Sequence, residues 1–125
     1  MNTVVRDMYK SFSDGIDDLA KDYNKETASF MNMLGEMYKT KHLDIKTKEL
    51  ISIAISTYAR CEYSVVYHTY KALEAEATKD EIMESGFIAT ACGGEFTLSY
   101  MTTLLKECVM EFEKDFKKKN HRVSK

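Results

Sequence analysis

The sequence predicts an all-α protein, and three observations carry that expectation. There are no prolines and only five glycines in 125 residues, so few positions force a helix to stop. Apolar residues recur at three- and four-residue intervals along most of the chain, the period of a helix that turns one face to a core. No segment keeps the strict alternation, bounded by turn residues, that marks a half-buried strand.

Taken in order, Val4, Val5, Met8, Tyr9 and Phe12 give a first short amphipathic segment, and Ser13-Asp14-Gly15 offers a break with N-cap candidates. Ile16, Leu19, Ala20 and Tyr23, then Phe30, Met31, Leu34, Met37 and Tyr38, continue the spacing to about residue 40, as one helix or two. Asp44 is the expected N-cap of a helix through Leu50, Ile51, Ile53, Ala54, Ile55 and Tyr58, apolar on most of its circumference and therefore expected at the centre of the fold. After Arg60 a further helix runs to about Ala75, forming an antiparallel hairpin with the one before it. Thr78-Lys79-Asp80-Glu81 reads as a capping box, in which the Thr78 hydroxyl and the Glu81 carboxylate satisfy each other's backbone amides. Ile82, Phe87, Ile88 and Ala91 lead to Gly93-Gly94, a place for a sharp turn or a close helix approach. A last helix from about Glu95 holds Leu98, Met101, Leu104, Leu105, Val109 and Phe112. The basic tail, 117–125, reads as lysines complementing a helix C-terminus rather than as an anion-binding patch. Met31, Met37, Met101 and Met110 fall on or near apolar faces and are expected in the core or at a subunit interface.

A chain of this length makes one domain, residues 1–125, with about two thirds of its unfolded surface buried. Hydrophobic residues are 44% and charged residues 30%, and the formal charge is −2; these values exclude global disorder and give no basic surface for nucleic acid. The first residues lack the apolar stretch of a signal peptide, and no apolar run approaches the roughly 20 residues of a membrane span. No membrane association is therefore expected, and the expected location is the cytoplasm. Cys61, Cys92 and Cys108 are an odd set, so they are expected as thiols rather than as a disulfide scaffold. His42 and His121 stand apart from any Cys or His pair, so neither a zinc site nor a cofactor is expected.

The chemistry concentrates in Arg60–His68, RCEYSVVYH. On a helix Cys61, Ser64, Val65 and His68 share a face. Ser64 and His68 are one turn apart, whereas Cys61 and His68 are separated by about 10 Å along the axis at 1.5 Å per residue, too far for direct proton transfer. Position near a helix N-terminus would favour the Cys61 thiolate. Glu49 and Glu62 are both available to orient the imidazole; folding the hairpin at residue 60 would bring Glu49 level with His68. Spacing alone favours His68 as a satisfied core or interface histidine and Cys61 as a small hydrophobe.

The stretch LDIKTKELISIAISTYARCEYSVVYHTYKALEAEATKDEIMES, Leu43 to Ser85, resembles the carboxymuconolactone decarboxylase and AhpD-like alkylhydroperoxidase family, with a weaker likeness through Gly93-Gly94 that puts the family core at about 43–100. The resemblance implies a helical bundle around a central antiparallel hairpin, in which a glutamate-bearing helix precedes a Cys-x-x-Cys-x-x-x-His helix. By position, Glu49 matches the family glutamate, Cys61 the first cysteine and His68 the histidine. Ser64 occupies the place of the second cysteine, the reactive thiol of peroxidatic members. Tyr63 stands where some alkylhydroperoxidases carry a further histidine, and Glu76 replaces a glycine usual before the capping box. A serine can form neither a disulfide nor a sulfenic acid, so the two-cysteine peroxidase cycle cannot run within this motif.

The resemblance leaves three readings. In the leading one Cys61 is a single-thiol oxidoreductase of peroxidase or antioxidant type, forming a mixed disulfide with a thiol reductant or with Cys92 or Cys108. In the second, Glu49 and His68 act as a general base in lactone decarboxylation or another proton transfer, with Ser64 as a hydrogen-bond donor. In the third, the chain is a catalytically degenerate helical oligomer with a binding or assembly role. A hydrolase triad of Ser64, His68 and Glu49 ranks last, since nothing marks a nucleophile turn or an oxyanion hole. The resemblance also implies a closed homo-oligomer, often of six subunits, and a small substrate such as a hydroperoxide or lactone acid.

Overall fold

The computed structural model describes residues 3–123, with side chains described for 4–117. The chain is all-helical, and no strand occurs among the described residues. Helix α1 spans Thr3–Asp22 and α2 Asn24–Met37; α3 is Ile45–Ala59, α4 Glu62–Glu74 and α5 Lys79–Gly93. A short α6, Glu95–Tyr100, passes through a π-helical turn, Met101–Leu105, into α7, Lys106–Val123. The side chains of the basic tail beyond Lys117, His121 included, lie outside the described residues.

The expected break at Ser13-Asp14-Gly15 does not occur: α1 runs through it despite the cost of a glycine in a helix, and the Asp14 carboxylate that could have capped a new helix is paired with Lys10 one turn back at 2.7 Å. The chain bends instead at Tyr23, φ −130° and ψ 51°, with no capping side chain. The hydrogen-bond ladder nearly survives the bend, with Tyr23 N–H on the Leu19 carbonyl at 2.9 Å and Thr27 N–H on that of Tyr23 at 3.0 Å.

Local capping sets the next boundaries. Asp44 accepts the Thr47 amide at 2.8 Å, and the capping box at the start of α5 is complete, with Glu81 N–H on Thr78 Oγ1 at 3.1 Å and Thr78 N–H on Glu81 Oε1 at 2.8 Å. The C-termini of α3 and α4 share one solution. Cys61 N–H reaches back to the Ser56 carbonyl at 3.0 Å while Arg60 N–H bonds that of Thr57 at 3.2 Å; Ala77 and Glu76 repeat the pattern on Ala72 and Leu73 at 2.9 and 3.0 Å. These are Schellman motifs, and each needs one left-handed residue. Arg60, φ 57°, and Glu76, φ 69°, supply them without being glycine. A left-handed non-glycine residue costs roughly 1–2 kcal/mol, partly offset by its stiffer unfolded chain. Glu76→Gly is therefore expected to stabilise the fold by up to about 1 kcal/mol, read as a higher urea midpoint at unchanged m-value.

The core gathers Val5 of α1, Ile53 of α3, Val65, Val66, Ala72 and Leu73 of α4, Ile82 of α5, and Met101, Leu105, Cys108, Val109 and Phe112 around and beyond the π-helical turn. At Gly86 a Cβ would come within 2.9 Å of Leu105 Cδ2 and 3.2 Å of Met101 Cγ, so the glycine leaves room for these two side chains of the π-helical turn to pack against α5. Gly93-Gly94 turns as expected: Gly94 takes φ 74°, and a side chain at Gly93 would collide with Thr97.

Helix α3 packs against both α4 and α5, but it is not apolar inward all round. Its buried residues are Glu49, Ile53, Ser56 and Thr57, with the Thr57 hydroxyl satisfied by the Ile53 carbonyl at 2.7 Å. Ile51, Ile55 and Tyr58, one turn apart on the opposite face, are exposed, as are Phe87 and Ile88 of α5. Of the four methionines, Met101 is in the core, Met31 is half-buried, and Met37 and Met110 are exposed.

Candidate functional site

Folding α4 back along α3 sets Glu49 against His68. Nδ1 of His68 lies 2.7 Å from Glu49 Oε1, with the carboxylate buried and the imidazole half-buried. Of the two carboxylates the sequence offered, Glu49 is the partner; Glu62 is exposed at the first position of α4. An imidazole that donates Nδ1–H to a carboxylate keeps its Nε2 lone pair for chemistry.

Tyr38, which the sequence reading used only as an apolar helix residue, stacks on His68 with ring centres 5.8 Å apart and planes 15° apart. Three contacts hold it there. Lys48 Nζ donates to the carbonyls of Met37 and Lys39 at 2.7 and 2.6 Å, which caps the end of α2. The Ser52 hydroxyl donates to the Lys48 carbonyl at 2.9 Å, so the short hydrogen bond between Tyr38 and Ser52 has the phenol as donor. Tyr67 closes on the imidazole edge-on at 5.3 Å, and burial pushes its own pKa up, so it stays a neutral phenol.

Glu49, Ser64 and His68 open onto a cavity of about 860 Å³. Its far wall is apolar and comes from α1 and α2: Phe12, Ile16, Leu19, Phe30 and Leu34. Amphipathic spacing foretold those side chains as apolar but not that they would line one cavity with the reactive pair.

Cys61 does not line this cavity. It is the N-cap of α4, exposed, and makes no capping hydrogen bond. Its thiol donates to Ser64 Oγ at 3.2 Å, which leaves the serine proton free to donate elsewhere. All three cysteines are free. Burial pushes Cys108 up to about 12, so its thiolate is scarce at neutral pH and it is a poor exchange partner; Cys92 is exposed on α5. Among the described residues no group of three or more His, Cys, Asp or Glu side chains could hold a metal ion, and no helix is long and apolar enough to cross a membrane.

Residues 26–107 match the carboxymuconolactone decarboxylase family, about two thirds of the chain and all of the hairpin that carries the site. The chain belongs to this family. Solved structures agree with it. A carboxymuconolactone decarboxylase family protein from Legionella pneumophila, in its apo form, superposes with a TM-score of 0.84 at 25% identity, over 89% of this chain and 98% of that one. A family member from Thermotoga maritima, for which involvement in antioxidative response has been suggested, gives 0.70 at 28% identity over 86% and 93% of the two chains. A second structure of a Thermotoga maritima protein gives 0.68 at 31% over 86% and 99%. Comparison with curated proteins finds no match.

Proposed function

We propose that the chain is a proton-transfer enzyme of its family, acting on a small organic acid or lactone in the cavity. The observation that carries this reading is the 2.7 Å contact between Glu49 and His68 at the boundary of an apolar cavity. Glu49 fixes the tautomer. Nε2 of His68 takes a proton from the carbon next to a substrate carbonyl, the developing enolate accepts a hydrogen bond from the Ser64 hydroxyl, and the imidazolium returns the proton to the product. If the substrate carries a β-carboxylate group, its loss as carbon dioxide generates the same enolate, and His68 relays to it a proton taken up from solvent. The test is turnover of lactone acids and β-keto acids by wild type, His68→Ala and Cys61→Ala. Activity that needs His68 and survives loss of Cys61 supports the reading; activity that needs Cys61 overturns it.

The thiol reading comes second here because Cys61 lies outside the cavity lining, and its support is the exposed thiol at a helix N-terminus beside Ser64. In that chemistry a hydroperoxide would oxidise Cys61 to a sulfenic acid and leave as the alcohol, and a small thiol would then condense with the sulfenic acid, releasing water and forming a mixed disulfide. The check is alkylation followed by intact-mass spectrometry. Cys108 is expected to stay unmodified in the folded protein, and Cys61 to react with hydroperoxide faster than Cys92 only if this chemistry operates.

A homo-oligomer belongs to the proposal as well, with the hexamer of the family resemblance as its expected size. The exposed Ile51, Ile55 and Tyr58 stripe on α3 supports it, since a contiguous apolar face left to water is the usual mark of an interface. Ile55→Asp is expected to shift the mass measured by light scattering toward the 14.4 kDa protomer.

A further inference from the structure

Lys71 stands one turn beyond His68 on α4 and lines the same cavity. Helical residues three apart have Cβ atoms roughly 5–6 Å from each other, so the two side chains leave α4 on the same side and both line the cavity. The Lys71 ammonium meets Glu74 Oε1 at 2.8 Å and lies 5.9 Å from the centre of the Tyr67 ring. The Glu74 side chain is 53% exposed, and an ion pair so open to water is weak. Glu74 therefore does not commit all three donor protons of the ammonium.

Partial desolvation works against the charge on Lys71, but the hydrogen bond to Glu74 and the attraction of Glu74, Tyr67 and Tyr9 outweigh it, leaving the pKa above that of an ordinary lysine. Two other lining residues are acidic: Glu26 is exposed on α2, and Glu49 is held by His68. Among the described residues Lys71 is the only lysine or arginine on the lining. The same lining carries the hydrocarbon of Phe12, Ile16, Leu19, Phe30 and Leu34. At about 860 Å³ the cavity lies toward the upper end of the roughly 300–1,000 Å³ typical of pockets for drug-sized ligands. A short polar acid would leave most of that wall against water, forgoing about 25 cal/mol for each Å² of apolar surface.

We infer that Lys71 is the anion-binding residue of this cavity and that its ligand class is an amphipathic monoacid, the acid group on Lys71 and the hydrocarbon body along the α1–α2 wall. The inference rests on the proposed function only in taking the cavity as the substrate site; it adds what fills it.

The test is calorimetric titration of the full chain with decanoate and with decan-1-ol, on wild type, Lys71→Gln and Lys71→Arg. Wild type is expected to bind decanoate about tenfold tighter than the alcohol, the scale of one charge-assisted hydrogen bond. Lys71→Gln should bind the two probes equally, with its affinity for the alcohol unchanged, and Lys71→Arg should keep the preference. No binding of either probe, equal binding by wild type, or a preference that survives Lys71→Gln would overturn the inference. Turnover of lactone acids and β-keto acids, compared between wild type and His68→Ala, separates the two ideas: a Lys71-dependent decanoate preference in wild type without any His68-dependent turnover sinks the proton-transfer reading alone, and His68-dependent turnover without decanoate binding by wild type sinks this one alone.

Discussion

His68→Ala is expected to lower kcat by about 10²–10⁴-fold, the range that a positioned general base contributes, while Cys61→Ala lowers it only a few-fold by loosening Ser64. The asymmetry follows from the geometry. Glu49 and His68 share a 2.7 Å hydrogen bond beside the cavity, whereas Cys61 touches the site only through Ser64. Glu49→Gln should move activity in the same direction, because an amide can present either its oxygen or its nitrogen to Nδ1 and no longer fixes the tautomer. Removing the imidazole also leaves a buried carboxylate without its histidine, so His68→Ala should melt lower as well. Rates are therefore to be corrected for the folded fraction by circular dichroism. Added imidazole offers a further check: partial recovery in His68→Ala means the loss lies in the base, and no recovery with a fully folded protein would point to a structural role for His68.

Much of this arrangement could be read before folding, and the reason differs from element to element. Asp44 and the Thr78–Glu81 box are local devices, in which a side chain and an amide three residues away satisfy each other, so sequence spacing suffices. The Glu49–His68 contact needed only a tight turn at Arg60 and antiparallel helices. The ends of α3 and α4 left no such trace, since Arg60 and Glu76 hold left-handed positions where glycine would have announced the stop. The bend at Tyr23 has no cap, and Gly15 marked a break that helix continuity overrode. Periodicity revealed that α3 was rich in apolar residues but not that Glu49, Ser56 and Thr57 would turn inward while Ile51 and Ile55 turned out. Tyr38 over His68, Lys71 beside it, and the apolar wall across from both depend on how α1 and α2 return to α4, and no spacing within one helix encodes that.

Phe112→Ala is expected to destabilise the fold by about 3–5 kcal/mol, as large-to-small changes at fully buried aromatic positions do, a large share of the roughly 5–15 kcal/mol of a typical domain. Phe112 is 1% exposed and is the ring on which three helices converge. It meets Tyr9 of α1 edge-on at 5.9 Å and Tyr70 of α4 at 5.2 Å, and the Arg6 guanidinium lies over it at 5.6 Å. Arg6 in turn binds Glu111 at 2.5 Å and Asp115 at 2.8 Å, so the same ring and the same arginine fasten α1 to α7. The consequence reaches the site, because α1 also supplies Phe12, Ile16 and Leu19 to the cavity wall. A cavity at Phe112 loosens α1 before it disturbs the α3–α4 hairpin, where Glu49 and His68 meet on separate support. Hydrogen exchange on Phe112→Ala should therefore show α1 amides losing protection ahead of those of α3 and α4, with ligand affinity falling by more than the Glu49–His68 chemistry. Phe112→Leu, which keeps most of the volume, should recover more than half of the lost stability. If both variants unfold in urea at the wild-type midpoint, the ring is not what holds α1 in place, and the wall of the cavity must be fixed by Val5 in the core, the Tyr9 and Phe12 contacts with α4 and the Arg6 ion pairs.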